Sequence, residues 1–106
     1  MACRVEWTAS ARNDVEDIVR HIAIKLDSPG AASAHLNDFL AAADRIAEFP
    51  EACAIGAHPA LASRGLRPCF VRKYVILYSY DGEAAIVHRV FHTLQDYAHL
   101  IERNSS

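Results

Sequence analysis

The stretch YVILYSYDGEAAIVHRVFH, residues 74–92, decides how the rest of the chain reads. Its first seven residues are aliphatic, aromatic or small, the character of a pleated and buried strand. Asp81-Gly82 then interrupts, and glycine accepts the positive φ that a tight hairpin demands. AAIVHRVFH (84–92) returns with the same character. Two such strands joined by a tight turn make a β-hairpin, so the chain is organised around a sheet.

Upstream, GLRPCFV (65–71) reads as a further strand, and Pro68, which lacks a ladder donor, points to a sheet edge or a bulge. Residues 51–65 are rich in Ala, Gly and Pro without a clear period and read as a loop. Before them the period is helical. Ala32, Leu36, Phe39, Leu40, Ala43, Ile46 and Ala47 form one apolar stripe, opened by Ser28-Pro29 as N-cap and first helical residue and closed at Phe49-Pro50. Ala11, Val15, Ile18, Val19, Ile22 and Leu26 form another, with Asp14, Asp17, Arg20 and Asp27 mostly on the opposite face and Thr8 or Ser10 as the cap. So short a link predicts an antiparallel helical hairpin. RVEWT (4–8) alternates like a half-buried strand. After the sheet, Thr93 and Asp96 fit a capping box for a last helix over 94–102.

The order is β-α-α-β-β-β-α. A helical hairpin packed on a small, mostly antiparallel sheet is an α+β fold, and 106 residues allow one core, hence a single domain over 1–106.

Composition narrows the function. No apolar run reaches the ~20 residues of a membrane helix and the N-terminus lacks a signal-peptide core, so a cytoplasmic location is expected. Cys3, Cys53 and Cys69 are odd in number and widely spaced, which reads as reduced thiols rather than a disulfide framework or zinc site. Charge is uneven: residues 1–51 carry −4 and residues 52–106 carry +2, with Arg64, Arg67, Arg72 and Lys73 in a run free of acids. Such a patch suits a phosphate or an acidic partner, although the chain is too acidic to bind nucleic acid by bulk charge. No phosphate loop, dinucleotide fingerprint or G-x-S-x-G elbow is present. His92, Asp96 and His99 share helical spacing but no cysteine joins them, so no metal and no cofactor is expected.

Over about 95 residues the chain resembles the RelE/ParE superfamily of toxins from bacterial type II toxin–antitoxin modules. The resemblance runs through SARNDVEDIVRHI, SPGAASAHLNDFLAAADRIAEFPE and GLRPCFVRKYVILYSYDGEAAIVHRVFHTLQDY. It implies a small toxin neutralised by a cognate antitoxin that lays an extended, partly helical segment over it. It also implies one of two targets: DNA gyrase, inhibited by binding, or the ribosome, where mRNA is cut. No small-molecule substrate is implied.

The residues weigh these targets unequally. Cleavage by a neighbouring 2′-hydroxyl needs a base, charge stabilisation on the phosphate and a proton donor. Candidates are His92 as acid or base, Arg67, Arg72 and Arg89 on the phosphate, and Tyr97 as donor or stacking ring. Each also has a structural reading. Arg89 would pair with a carboxylate, His92 would bond near the helix cap, and Tyr97 would pack at the core edge, while Tyr74, Tyr78 and Tyr80 share one face and suit packing. RelE-like ribonucleases usually carry an arginine early in the central strand, where this chain has Val75 and Ile76, and RVFHTLQDY is closer to the ParE-like ending. The expectation is therefore a ParE-like gyrase inhibitor, with Arg64, Arg67, Arg72 and Lys73 as a contact region. The alternatives are a metal-independent, ribosome-dependent mRNA endonuclease and a degenerate, non-toxic interaction module.

Overall fold

The structure, a computed structural model, describes residues 2–103. The elements are β1 (Arg4–Trp7), α1 (Ala9–Lys25), α2 (Pro29–Glu48), α3 (Pro59–Ala62), β2 (Arg67–Val71), β3 (Tyr74–Tyr80), β4 (Ala84–His92) and α4 (Tyr97–Arg103). Four strands form one mixed sheet in the order β1-β4-β3-β2, with β1 parallel to β4 and the other pairs antiparallel. Pro68 accordingly lies in an edge strand, where its missing donor costs no ladder bond on the outer side.

Local chemistry sets the helix starts. The Thr8 hydroxyl accepts from the Ala11 amide at 3.0 Å, and Ser28 does the same for Ala31 at 3.1 Å with Pro29 in the first turn. Of the two candidate caps for α1, Thr8 serves, so the helix begins at Ala9 rather than Ala11. Gly82 takes φ 96° in the β3–β4 turn, and the Asp81 carboxylate accepts from the Glu83 and Ala84 amides at 2.8 and 2.9 Å. Those bonds favour the charged carboxylate and lower its pKa.

Two expectations need correction. Residues 51–65 are not wholly loop: α3 occupies Pro59–Ala62, capped by His58 Nδ1 accepting from the Ala60 amide at 3.1 Å. Four residues are too few for a period to register, but Ala60 and Leu61 are buried. Gly56 lies against this turn so closely that a Cβ there would sit 2.5 Å from the Leu61 side chain. The last helix also begins later than Leu94. The Thr93 hydroxyl donates to the Lys73 carbonyl at 3.0 Å instead of capping, Leu94 is 89% exposed, and Asp96 receives the amides of His99 and Leu100. The two ends of the T-x-x-D pattern part company: Thr93 bonds to the β2–β3 turn, and Asp96 serves the start of the helix.

The helical hairpin covers one sheet face. Phe39, Ala42 and Ile46 of α2 and Ala11 of α1 pack with Ile76, Tyr78, Ala85, Val87 and Val90. The other face is also covered: Leu61, Ala98 and Ile101 from α3 and α4 pack with Leu66, Val75, Leu77 and Phe91. Burial on both faces accounts for the unbroken run Val75-Ile76-Leu77-Tyr78, each fully buried, where a one-sided sheet would alternate.

A bulge breaks the β3–β4 register. Leu77 pairs with Arg89 and Tyr78 with Val87, so His88 is the extra residue. Inward parity on β4 therefore changes from Ala85 and Val87 to Val90. At the same level β1 ends, and its partner role passes to the start of α1. The Thr8 amide donates to the Val87 carbonyl at 3.1 Å and the Thr8 hydroxyl to the His88 carbonyl at 2.9 Å. Asp14 then accepts three bonds: Arg89 Nε at 2.7 Å, Arg89 Nη2 at 3.0 Å and the Val90 amide at 2.9 Å.

With side chains only 21% and 15% exposed, Arg89 and Asp14 are too sheltered for water to replace a lost partner fully. Asp14→Ala is expected to cost about 2–3 kcal/mol of unfolding free energy, read by urea denaturation, since it strands a guanidinium and a backbone amide. Asp14→Ala combined with Arg89→Met is expected to recover part of that loss. Additive losses in the pair would contradict the coupling.

Candidate functional site

Three concavities among the described residues bear on function. One is a polar cleft of about 200 Å³ at the end of the sheet, lined by Asp14, Asp17, Tyr74, Arg89, His92 and Gln95. The second, about 360 Å³, lies on the opposite face beside α4 and is lined by His58, Gln95, Asp96 and Tyr97 with Gly56 and Pro68 among its walls. The third is an apolar groove of about 590 Å³ bounded by β1, α1 and α2.

The sequence-derived candidates divide among these places. Arg89 and His92 share the polar cleft, but Arg89 is held bidentate by Asp14, with its guanidinium carbon 4.7 Å from the Phe91 ring centroid. His92 Nδ1 accepts from the Leu94 amide at 3.0 Å, and its ring meets Tyr74 edge-on at 5.2 Å. Tyr97 lines the second cleft, on the sheet's other face. Arg67, at the start of β2, donates to the Cys53 carbonyl at 2.7 Å and more weakly to that of Glu51. Arg72 sits at the far end of β2 in a turn, at φ 54°, where it pairs with Asp38 of α2. Arg64 donates to the Ile101 carbonyl at 3.3 Å, and Lys73 is exposed beside Arg72.

The basic run thus does not converge. Arg67 and Arg72 stand at opposite ends of a five-residue strand, roughly 16 Å apart by strand rise, and Arg64 is committed to α4. Each of these three arginines already has a carboxylate or carbonyl partner. Of the catalytic candidates, Arg89 and His92 are brought together, in a cleft with two carboxylates, which repel a phosphate. The residues Tyr74, Tyr78 and Tyr80 do pack on the hairpin-side core. His35 of α2 meets Tyr74 edge-on at 6.2 Å, so Tyr74 is flanked by two imidazoles. Among the described residues, no group of three or more His, Cys, Asp or Glu is placed to hold a metal.

Sequence reasoning missed the groove. Val5 and Trp7 of β1, Val15 of α1 and Leu36, Phe39 and Leu40 of α2 line it, with Glu6, Arg12 and Glu16 at the rim. Arg12 is tied by Nε and Nη2 to the Trp7 carbonyl, which leaves the rim mainly acidic. Leu40 remains 52% exposed and Leu36 38%, one turn apart on α2. The signal was available in the breadth of the α2 stripe, which holds more apolar residues than one sheet face can cover. Beside the groove, β1 is an edge strand of the sheet, its Trp7 carbonyl taken by Arg12.

On the face away from the hairpin, the bulge residue His88 places Nε2 2.8 Å from the Ser79 hydroxyl. Burial, and secondarily the Arg64 charge, lower its pKa below the usual histidine value. Because the unfolded chain binds this proton more readily, the neutral ring stabilises the fold fully above pH ~6.5, and that contribution is lost as pH falls through the depressed value. Acidification from neutral pH is expected to lower the melting temperature, and His88→Gln to flatten that dependence. An unchanged pH profile in the variant would assign the effect to other groups.

Comparison with known proteins bears on both the family and the fold. The family model described as ParE toxin of type II toxin-antitoxin system, parDE, matches residues 5–97. A solved structure titled chromosomal ParDE TA system from P. aeruginosa superposes with a TM-score of 0.70 at 17% identity, covering 86% of this chain and 96% of that one. At that identity the superposition speaks for the fold alone. No curated protein matches the sequence at a significant level.

Proposed function

Because the chain belongs to the ParE toxin family, the toxin half of type II toxin–antitoxin modules, we propose that it arrests growth by binding DNA gyrase and not by cutting RNA. The cognate antitoxin is its partner by family. The observation that favours binding over cleavage is the commitment of Arg67, Arg72 and Arg89 to internal partners, with His92 and Tyr97 in separate clefts. In-line attack on a phosphate needs a base, a donor and a cation around one atom. Recognition of a protein surface needs no such convergence.

The apolar groove is the proposed seat of the antitoxin. An amphipathic segment entering it would bury Leu36 and Leu40 against its own apolar anchors, and an extended continuation could pair with the outer edge of β1, displacing Arg12 from the Trp7 carbonyl. Glu6 and Glu16 at the rim suit basic residues on the flank of that segment. Arg64, Arg67, Arg72 and Lys73 remain the proposed contact region for the cellular target, through whatever donors their internal bonds leave over. Action on gyrase places the protein in the cytoplasm, as one domain over 1–106. No helix among the described residues is long and apolar enough to cross a membrane.

Purified protein added to a gyrase supercoiling assay and, separately, to a coupled ribosomal translation reaction separates the readings. Loss of supercoiling with intact mRNA is expected, and His92→Ala is expected to keep that inhibition. Fragmented mRNA with normal supercoiling would establish the endonuclease instead, and inactivity in both assays the non-toxic module. Leu40→Asp is expected to weaken antitoxin binding by about 2 kcal/mol or more, roughly thirtyfold, in calorimetry while leaving the fold intact. Unchanged affinity would move the antitoxin off the groove.

A further inference from the structure

The segment between α2 and β2 is held to the sheet by three polar contacts at one place. The Tyr78 hydroxyl donates to the Pro50 carbonyl at 2.8 Å, Arg67 donates to the Cys53 carbonyl at 2.7 Å, and the Gly56 amide donates to the Leu66 carbonyl at 2.9 Å. Arg67 and Tyr78 are cross-strand partners, and Cys69 is two residues along β2 from Arg67 on the same face. The anchored Cys53 therefore lies at the Cys69 and Tyr78 end of the sheet, packed against their apolar cluster and near enough for its thiol to raise the Cys69 pKa. Cys53 and Cys69 pack in the same apolar cluster, both as free thiols. Cys3 precedes β1, at the other edge of the sheet.

The two thiols differ in access. Cys53 is partly exposed, whereas Cys69 is buried. Burial, reinforced by the neighbouring Cys53 thiol, pushes the Cys69 pKa up to about 11, with Arg45 opposing the shift. A buried, protonated thiol is a poor first nucleophile, but one in contact with an exposed thiol can attack it once that thiol carries a leaving group.

From this juxtaposition we infer that Cys53 and Cys69 form an oxidisable dithiol that reacts with peroxides and closes into a disulfide, fastening residues 49–58 to β2. The Cys53 sulfur attacks one peroxide oxygen, the O–O bond breaks, and the other oxygen leaves as water with the thiol proton. Cys53 is then a sulfenic acid. The Cys69 sulfur attacks the Cys53 sulfur, the S–O bond breaks, and hydroxide leaves as a second water with the Cys69 proton. Two thiols are oxidised and one peroxide is reduced. The disulfide closes the chain from 53 to 69, so it restricts the unfolded state and ties the end of α2 to an edge strand.

Hydrogen peroxide applied to the purified chain, followed by denaturing alkylation and peptide mapping, tests the inference. The expected product is a monomer lighter by two hydrogens, with a Cys53–Cys69 crosslinked peptide, only Cys3 alkylatable, a raised melting temperature, and full reversal by dithiothreitol. Cys3→Ser should behave the same. Cys53→Ser, a conservative change at a partly exposed position whose folding is checked by circular dichroism, should lose both the crosslink and the thermal gain. Cys53 sulfinic acid beside a still alkylatable Cys69, or crosslinking only between molecules through Cys3, would overturn the dithiol. A Cys53–Cys69 crosslink without a change in melting temperature would overturn the fastening.

Discussion

The Asp14 carboxylate, accepting from Arg89 Nε, Arg89 Nη2 and the Val90 amide, is the constraint around which the structure is arranged. β4 is longer than β1, and past Trp7 its outer edge would face apolar helix with unpaired polar groups. A buried amide without a partner costs free energy comparable to a lost hydrogen bond. Asp14 supplies the partner from the first turns of α1, and Thr8 supplies the neighbouring ones while capping the same helix. The seam from β1 to α1 thus completes the sheet edge. It also explains the bulge: the extra residue His88 changes the parity so that Val90 can enter the hairpin-side core while Arg89 turns toward α1.

That arrangement has consequences for function. Holding α1 against β4 while α2 packs over the middle of the sheet leaves an apolar channel between β1 and the two helices, bordered by Leu36 and Leu40. The same contacts consume the cations. Arg89 balances Asp14, Arg72 balances Asp38, and Arg67 holds the chain beyond α2 through the Cys53 carbonyl. Three of the arginines are thus satisfied internally, and the groove bordered by Leu36 and Leu40 is apolar, the character of a surface that suits a protein partner.

The same internal bonding creates the thiol pair. Arg67 and Tyr78 draw the segment after α2 down onto β2 and β3, and Cys53 arrives beside Cys69. One short connection is thereby pinned at the sheet edge opposite the groove. The groove beside β1 and the Cys53–Cys69 pair beside β2 lie at opposite edges of the sheet.

What could be read from residues alone was local. Strands 74–80 and 84–92, the Asp81-Gly82 turn, the Ser28-Pro29 start of α2 and the order of elements follow from periodicity and capping, which depend on neighbours a few positions apart. The family was legible for the same reason, through short motifs in a fixed order. Tertiary structure alone decided which carboxylate meets Arg89, where the bulge falls, that both sheet faces are covered, which leucines of α2 stay uncovered, and that Cys53 is drawn to the cluster holding Cys69. Those outcomes join positions 14 and 89, or 53 and 69, through packing. Asp14 looked like a solvent-facing helix residue because helical period names a face but not what lies against it.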